Sequence, residues 1–414
     1  MHTLLVFLLA AGVLASPSSG FGDEPPPRVV AVEIEGARRT RGETVRRLGR
    51  VKEGDPWRDG LDAEVRQNLL NTGIFYEVAV EPQPAAEGVR LRIELKEKWT
   101  LIPLPLFSVK DGETTWGATV VESNLLGTGS RLIALLAVTE GEPGGRILYI
   151  DPHLRGSLFQ FFGALGFTDE VVDIWGADEK TGSYRQETAG ATVALGYRFA
   201  RRTSASVGVR MTDFTFSEPA GGAVPPGDAR ERALVLQLRH EGTDLDEERR
   251  RGLFSELRLE FGIEPFGDEV GRTAAEGTAR WAHTFANGHT LGLFGHGLWT
   301  DTVDYEEGAR TPTGFLRGYD ADRFRPDRLL GGSVEYQRPV ARFREATLSV
   351  VPFADAALLR DANHAFTAGD AQVDAGLALA IYVRRVALPV LQLYGAYGFS
   401  SGEVLPGFSL GVVF

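Results

Sequence analysis

Leu253-Phe254-Ser255-Glu256-Leu257-Arg258-Leu259-Glu260-Phe261 sorts its side chains by parity: Leu253, Leu257, Leu259 and Phe261 fall on one face, and Glu256, Arg258 and Glu260 on the other. A strand turns successive side chains to opposite faces, so the segment reads as a two-faced strand. The same split recurs in Val193, Leu195, Tyr197 and Phe199 against Arg198, and in Leu234, Leu236 and Leu238 against Gln237 and Arg239. It appears again in Leu377, Leu379, Ile381 and Val383 against Arg384. One face suits lipid and the other a wet lumen, which is the pattern of an all-β membrane protein, an antiparallel transmembrane β-barrel.

About sixteen such strands run from residues 100–109 to 407–414, and an even number brings both ends of a barrel back to one side. Long polar connections at 170–186, 217–230, 301–330 and 360–370 follow odd strands. Short turns, Ala200-Arg201-Arg202 and Ala286-Asn287-Gly288, follow even ones. That asymmetry fits a barrel with long loops on one side of a membrane and short turns on the other. A soluble sandwich or propeller has no reason to sort its loops by parity. The segment 242–252, GTDLDEERRRG, breaks the rule by being long and charged on the short side.

Composition agrees: 50 Gly, 24 Phe and 10 Tyr but 2 Met in 414 residues favour one long β region. A mean hydropathy of −0.10 argues against a helical membrane protein and says little against a barrel, whose strands average out. The net charge of −12, with no basic stripe, disfavours nucleic acid. Zero cysteine excludes disulfides and thiolate metal sites and fits an oxidising compartment. The seven histidines, His283, His289 and His296 among them, show no metal-ligand spacing. GGRILYIDP and the other glycine clusters lack the strand-loop-helix setting of a phosphate loop. No catalytic residues, metal or cofactor are expected, and the chain does not read as an enzyme.

The start, residues 1–15, carries LLVFLLAAGVLA and ends Val13-Leu14-Ala15, a signal peptide with its cleavage site, although His2 is the only basic residue before the apolar run. A Pro-rich linker fills 16–27. Residues 28–97 then read as a small α+β unit in the order β-α-α-β-β. Val29 to Glu35 alternates, Val45 and Leu48 share the face of a short helix, and Leu61, Val65 and Leu69 recur every four residues in a second. Gly73 stops that helix, and strands follow at 75–81 and 89–97. Leu61, Val65, Leu69, Gly73, Phe75 and Val78 are the expected core of this unit, and the barrel occupies 99–414.

The β-α-α-β-β order, with NTGIFYEVAV joining the second helix to the second strand, resembles a POTRA domain. In the barrel, Leu316-Arg317-Gly318-Tyr319 lies in the longest predicted loop and looks like the loop signature of the BamA/TamA superfamily of assembly and transport proteins. ESNLLGTGS (122–130), YIDPHLRGS (149–157), LLGGSVEYQRP (329–339) and PFADAA (352–357) are similar to that family's barrel segments in the same order. The resemblance implies that the loop folds into the barrel and that Arg317 pairs with acidic residues on neighbouring strands, here Glu335 and Asp355. Guanidinium is always charged and binds carboxylates bidentately, which suits such an anchor.

Pro103 and Pro105 lack backbone donors and belong at a sheet edge. They point to a lateral seam between the first strand, with Phe107, and the last, with Phe408, Leu410, Val412 and terminal Phe414. The alternation ending on Phe414 also resembles the C-terminal signal of outer-membrane barrels. The family implies a Gram-negative outer membrane, with the N-terminal domain and the C-terminus in the periplasm. It also implies partners: unfolded outer-membrane or secreted polypeptides, outer-membrane lipid, and periplasmic or accessory proteins. A single POTRA-like domain is fewer than the general assembly factors of the family typically carry. That keeps a dedicated secretion translocator, and beyond it a passive pore, beside the insertase reading.

Overall fold

A computed structural model of the chain describes residues 27–110, 113–139, 142–176, 179–303, 314–320, 323–387 and 390–410. The expected signal peptide and nearly all of the linker lie outside the described residues, as do Val412 and Phe414.

The N-terminal unit runs β1 (Arg28–Glu35), α1 (Gly42–Gly49), α2 (Leu61–Asn71), β2 (Phe75–Ala85) and β3 (Gly88–Glu97). Its sheet has the order β1-β3-β2, with β1 parallel and β2 antiparallel to β3. Residues four apart share one face of a helix, so Leu61, Val65 and Leu69 of α2 enter the core together. They pack with Val45 and Leu48 of α1 and with Val29, Phe75, Val78, Leu91 and Ile93 of the sheet. Each such side chain contributes about 1.5–3 kcal/mol by leaving water. Gly73, placed in the core by the sequence reading, is only half-buried. Its contribution is conformational: at φ 72° it takes the left-handed turn that ends α2 and lets the chain enter β2.

The barrel begins with β4 (Leu101–Lys110), β5 (Glu113–Leu125), β6 (Ser130–Thr139), β7 (Glu142–Asp151), β8 (Phe159–Trp175) and β9 (Lys180–Ala200). It continues with β10 (Thr203–Ala220), β11 (Ala229–Glu241), β12 (Asp244–Asp246), β13 (Arg249–Gly262), β14 (Thr273–Thr284) and β15 (Thr290–Thr300). It ends with β16 (Arg328–Arg342), β17 (Ala346–Arg360), β18 (Gln372–Val383), β19 (Val390–Gly398) and β20 (Val404–Leu410). The strands form one closed ring in which β20 lies beside β4. β12 has three residues and β11 pairs directly with β13 past it, so among the described residues the wall consists of sixteen long strands. Closure removes the free edges that lipid could not solvate.

Burial follows the inverted rule of a membrane barrel. Val193, Leu195, Leu377 and Leu379 are exposed on the outer face, while Arg198, Glu231, Glu260, Glu335, Asp355 and Asp374 are buried. Buried charges need partners. Arg210 of β10, for example, lies 2.7 Å from Glu231 of β11 and 2.8 Å from Glu260 of β13.

Two of the expected connections prove different. Residues 170–186 are mostly strand, because β8 and β9 extend to 17 and 21 residues and stay paired as far as Trp175 and Lys180. The charged segment 242–252 contains β12 and the start of β13, a small hairpin that turns toward α2.

Candidate functional site

The loop between β15 and β16 turns inward on the side of the barrel away from the N-terminal unit. Arg317 donates from Nε (2.9 Å) and Nη2 (2.7 Å) to the two carboxylate oxygens of Asp355 on β17, and from Nη1 to Glu335 on β16. Its guanidinium stacks over Phe353, 3.5 Å from the ring centre. Gly318 is pressed so closely on β18 and β19 that a Cβ would stand 2.6 Å from Cβ of Asp374 and 2.8 Å from N of Gly398. The Tyr319 hydroxyl donates to the Val373 carbonyl at 2.9 Å, and its ring joins Leu316, Phe324, Ala357 and Leu359 in an apolar cluster. One short motif thereby ties together β16, β17, β18 and β19.

Two further residues complete this anchor, Phe353 from within the PFADAA segment and Asp374, which no motif marked. Phe353 is the cross-strand partner of Glu335, and the fully buried Asp374 is that of Asp355. Two buried carboxyl groups directly opposite each other cannot both hold a charge cheaply, so such a pair is tolerated where one of them is neutral and a cation, here Arg317 on Asp355, stands beside it. Among the described residues, no group of His, Asp and Glu gathers in a way that would hold a metal ion.

At the other end the N-terminal unit rests on the turns of the barrel. The Arg41 N–H donates to the Gly127 carbonyl at 3.1 Å, Arg47 Nη2 to the Thr128 carbonyl at 2.6 Å, and Asn124 Nδ2 to Thr40 Oγ1 at 2.8 Å. Gly127 has φ 74°, and a Cβ there would meet the Arg39 carbonyl oxygen at 2.1 Å. Arg50 Nη1 donates to the Arg201 carbonyl at 2.5 Å, and Arg201 pairs with Glu64. Asn71 of α2 holds the small hairpin from both sides, donating to Asp244 at 2.9 Å and accepting from the Leu245 N–H at 2.8 Å. The short segment between β3 and β4 is stitched to the β18–β19 turn, with the Trp99 N–H on the Arg385 carbonyl at 2.7 Å and the Ala387 N–H on the Trp99 carbonyl at 3.0 Å. His153, in the β7–β8 turn, accepts from Arg198 Nη1 at 2.8 Å. Burial, and then the charges of Arg198, Arg47 and Arg50, push its pKa down to about 3.

A sequence profile described as the Omp85 superfamily domain matches residues 124–400. The chain belongs to the Omp85 superfamily. A profile described as the surface antigen variable number repeat, the POTRA domain, matches residues 27–98. The fold is similar to that of BamA from Haemophilus ducreyi lacking POTRA domains 1-3, at 15% identity and TM-score 0.53, over 92% of this chain and 83% of that one. It is similar also to CdiB from Acinetobacter baumannii, at 12% identity and TM-score 0.59, over 93% of this chain and 74% of that one. CdiB from Escherichia coli matches at 11% identity and TM-score 0.61, over 93% of this chain and 75% of that one. No protein of curated function matches by sequence.

In this outer-membrane Omp85 barrel, ESNLLGTGS and YIDPHLRGS fall at the POTRA-side turns β5–β6 and β7–β8. Asn124 shapes the first of them: its Oδ1 accepts from the Gly129 N–H at 2.9 Å while its amide reaches Thr40. Pro103 and Pro105 lie within β4, exposed, opposite Val120 and Ala118 of β5. Phe107 continues that strand opposite Trp116. Phe408 and Leu410 lie in β20 opposite Leu393 and Leu391, with Phe408 exposed on the outer face. β4 and β20 are neighbours where the ring closes.

Proposed function

We propose that this protein inserts or exports polypeptides at the outer membrane without enzymatic chemistry. The observation that supports the reading best is the Leu316–Tyr319 loop, folded inward and held across four late strands by Arg317, at the opposite end from a POTRA domain docked on the barrel turns. A client adds a strand to an outer edge of the β1-β3-β2 sheet, where backbone pairing gives affinity with little sequence preference. It then passes to the seam between β4 and β20, where Pro103 and Pro105 supply no donors and leave the closure weak. Folding of the client drives the transfer, since lipid favours closed strand pairing. In this arrangement the POTRA domain, the short turns and the C-terminus face the periplasm, and lipid and accessory proteins surround the barrel.

The second reading is a translocator dedicated to one secreted polypeptide. It is favoured by the way the POTRA domain at residues 28–97 sits directly on the barrel turns, beside the mouth of the lumen. Depletion followed by quantitative proteomics of the outer membrane and the secreted fraction separates the two. Broad loss of barrels supports insertion, and loss of one secreted species supports export. Unchanged levels of both overturn the proposal and leave a passive pore. Complementation with a chain locked by a disulfide between β4 and β20 is expected to fail; full rescue removes the seam.

A further inference from the structure

The hairpin of β12 and β13 does more than turn the chain. Its strands pair Asp244 with Arg251, Leu245 with Arg250 and Asp246 with Arg249, and its tip is Asp246-Glu247-Glu248. Each tip carboxylate meets an arginine from a different part of the molecule. Asp246 lies 3.4 Å from Arg66 on α2, Glu248 lies 3.5 Å from Arg342 at the end of β16, and Glu247 pairs with Arg384 just after β18. β14 and β15 separate β13 from β16, so the tip reaches across the mouth of the barrel rather than along its wall. Around it lies a cavity of about 520 Å³, in which Arg249 and Arg344 join the other three arginines against the three acids. Thr347 and Tyr382, both buried side chains on the inner wall, form its floor.

We propose that the arginine set is a receptor for polypeptide segments bearing successive carboxylates, and that the acidic tip occupies it as an internal stand-in until a client displaces it. The inference rests on the reading that clients enter from the POTRA side. Three features carry it. The tip presents three acids in a row, each on its own guanidinium, which is how an acidic peptide would lie. Two of the pairs are partly exposed, with side-chain exposures of 41% and 46% for Arg66 and Asp246 and 36% for both Arg384 and Glu247, so they exchange readily with competing anions, whereas Glu248 is the more deeply seated of the three acids. The cavity is lined by five arginines against the three tip acids, and even with Glu345 standing 3.6 Å from Arg344 the lining stays net positive while the tip is in place.

The test uses the purified full chain and a fluorescein-labelled hexaglutamate peptide, with hexaglutamine as control. Asp246→Asn, Glu247→Gln and Glu248→Gln together should tighten hexaglutamate binding about ten-fold, because a tethered competitor has been removed. Adding Arg342→Gln and Arg384→Gln should abolish the gain, and salt should weaken binding throughout. In planar bilayers, hexaglutamate added on the POTRA side should change wild-type conductance where hexaglutamine does not, a readout that needs no variant to fold. Binding no tighter after tip neutralisation, binding that survives loss of both arginines, or conductance indifferent to hexaglutamate each overturns the proposal. None of these measurements depends on client insertion in cells, so failure here and failure of the depletion experiment remain separate results.

Discussion

At the far end of the barrel one guanidinium, Arg317, gathers Asp355, Glu335 and Phe353 in a buried site, whereas at the POTRA end the domain is held by many modest contacts, several to backbone carbonyls. The two arrangements fail differently. Removing a partner from a buried ion cluster leaves uncompensated charge, while removing one of many exposed hydrogen bonds is absorbed by its neighbours. Concentration makes the loop anchor decisive, and dispersion makes the domain junction tolerant and adjustable.

The two ends should differ most when Arg317 is changed. Arg317→Glu sets a third carboxylate against Asp355 and Glu335, and should cost on the order of 3–5 kcal/mol. Heat-modifiable gel mobility and urea unfolding should show loss of folded barrel, with function falling in parallel. Wild-type levels of both would mean that the loop is not an anchor.

A smaller effect is expected at Gly127, where the left-handed backbone and the Arg39 carbonyl leave no space for a side chain. Gly127→Val should cost about 1–3 kcal/mol, confined to the junction. Limited proteolysis should then separate the POTRA domain from an intact barrel. Equal protease resistance would show that this turn does not hold the domain.

The mildest perturbation is protonation of His153. Its folded pKa of about 3 lies below the ordinary value of 6.5, so its contribution is complete above pH 6.5 and is lost as pH falls toward 3. At pH 5 the loss should be on the order of 1–2 kcal/mol, and His153→Gln should flatten that part of the profile. An unchanged pH profile in the variant would exclude this turn from the junction's response.

These differences also explain what could be read in the chain beforehand. Wall strands were legible because alternation is local: Leu253, Leu257 and Leu259 declare their face without knowledge of their neighbours. Arg317 was legible through its motif, and its partners through the family resemblance. Asp374 was not, because it meets Asp355 only through the register of β17 with β18, which no short window encodes. The paired extension of β8 and β9 was hidden in the same way by polar residues such as Asp169, Asp173, Lys180 and Arg185, which resemble loop until they are matched across the hairpin. Gly73 was correctly read as a stop and wrongly assigned to the core, since a backbone role leaves no side chain to bury. The segment 242–252 announced itself only as a breach of the loop pattern, and its contacts with α2 supply the reason for the breach.

A strand of 21 residues at about 3.4 Å per step runs roughly 70 Å, and even a steep slant leaves it well over the roughly 25 Å apolar band of such cylinders. The β8–β9 hairpin must therefore project beyond the bilayer, where Asn363 donates to the Trp175 carbonyl at 3.1 Å and Arg325 to the Tyr184 hydroxyl at 2.9 Å, so neighbouring loops brace it while the pairs Asp169 with Arg185 and Asp173 with Lys180 tie its two strands together.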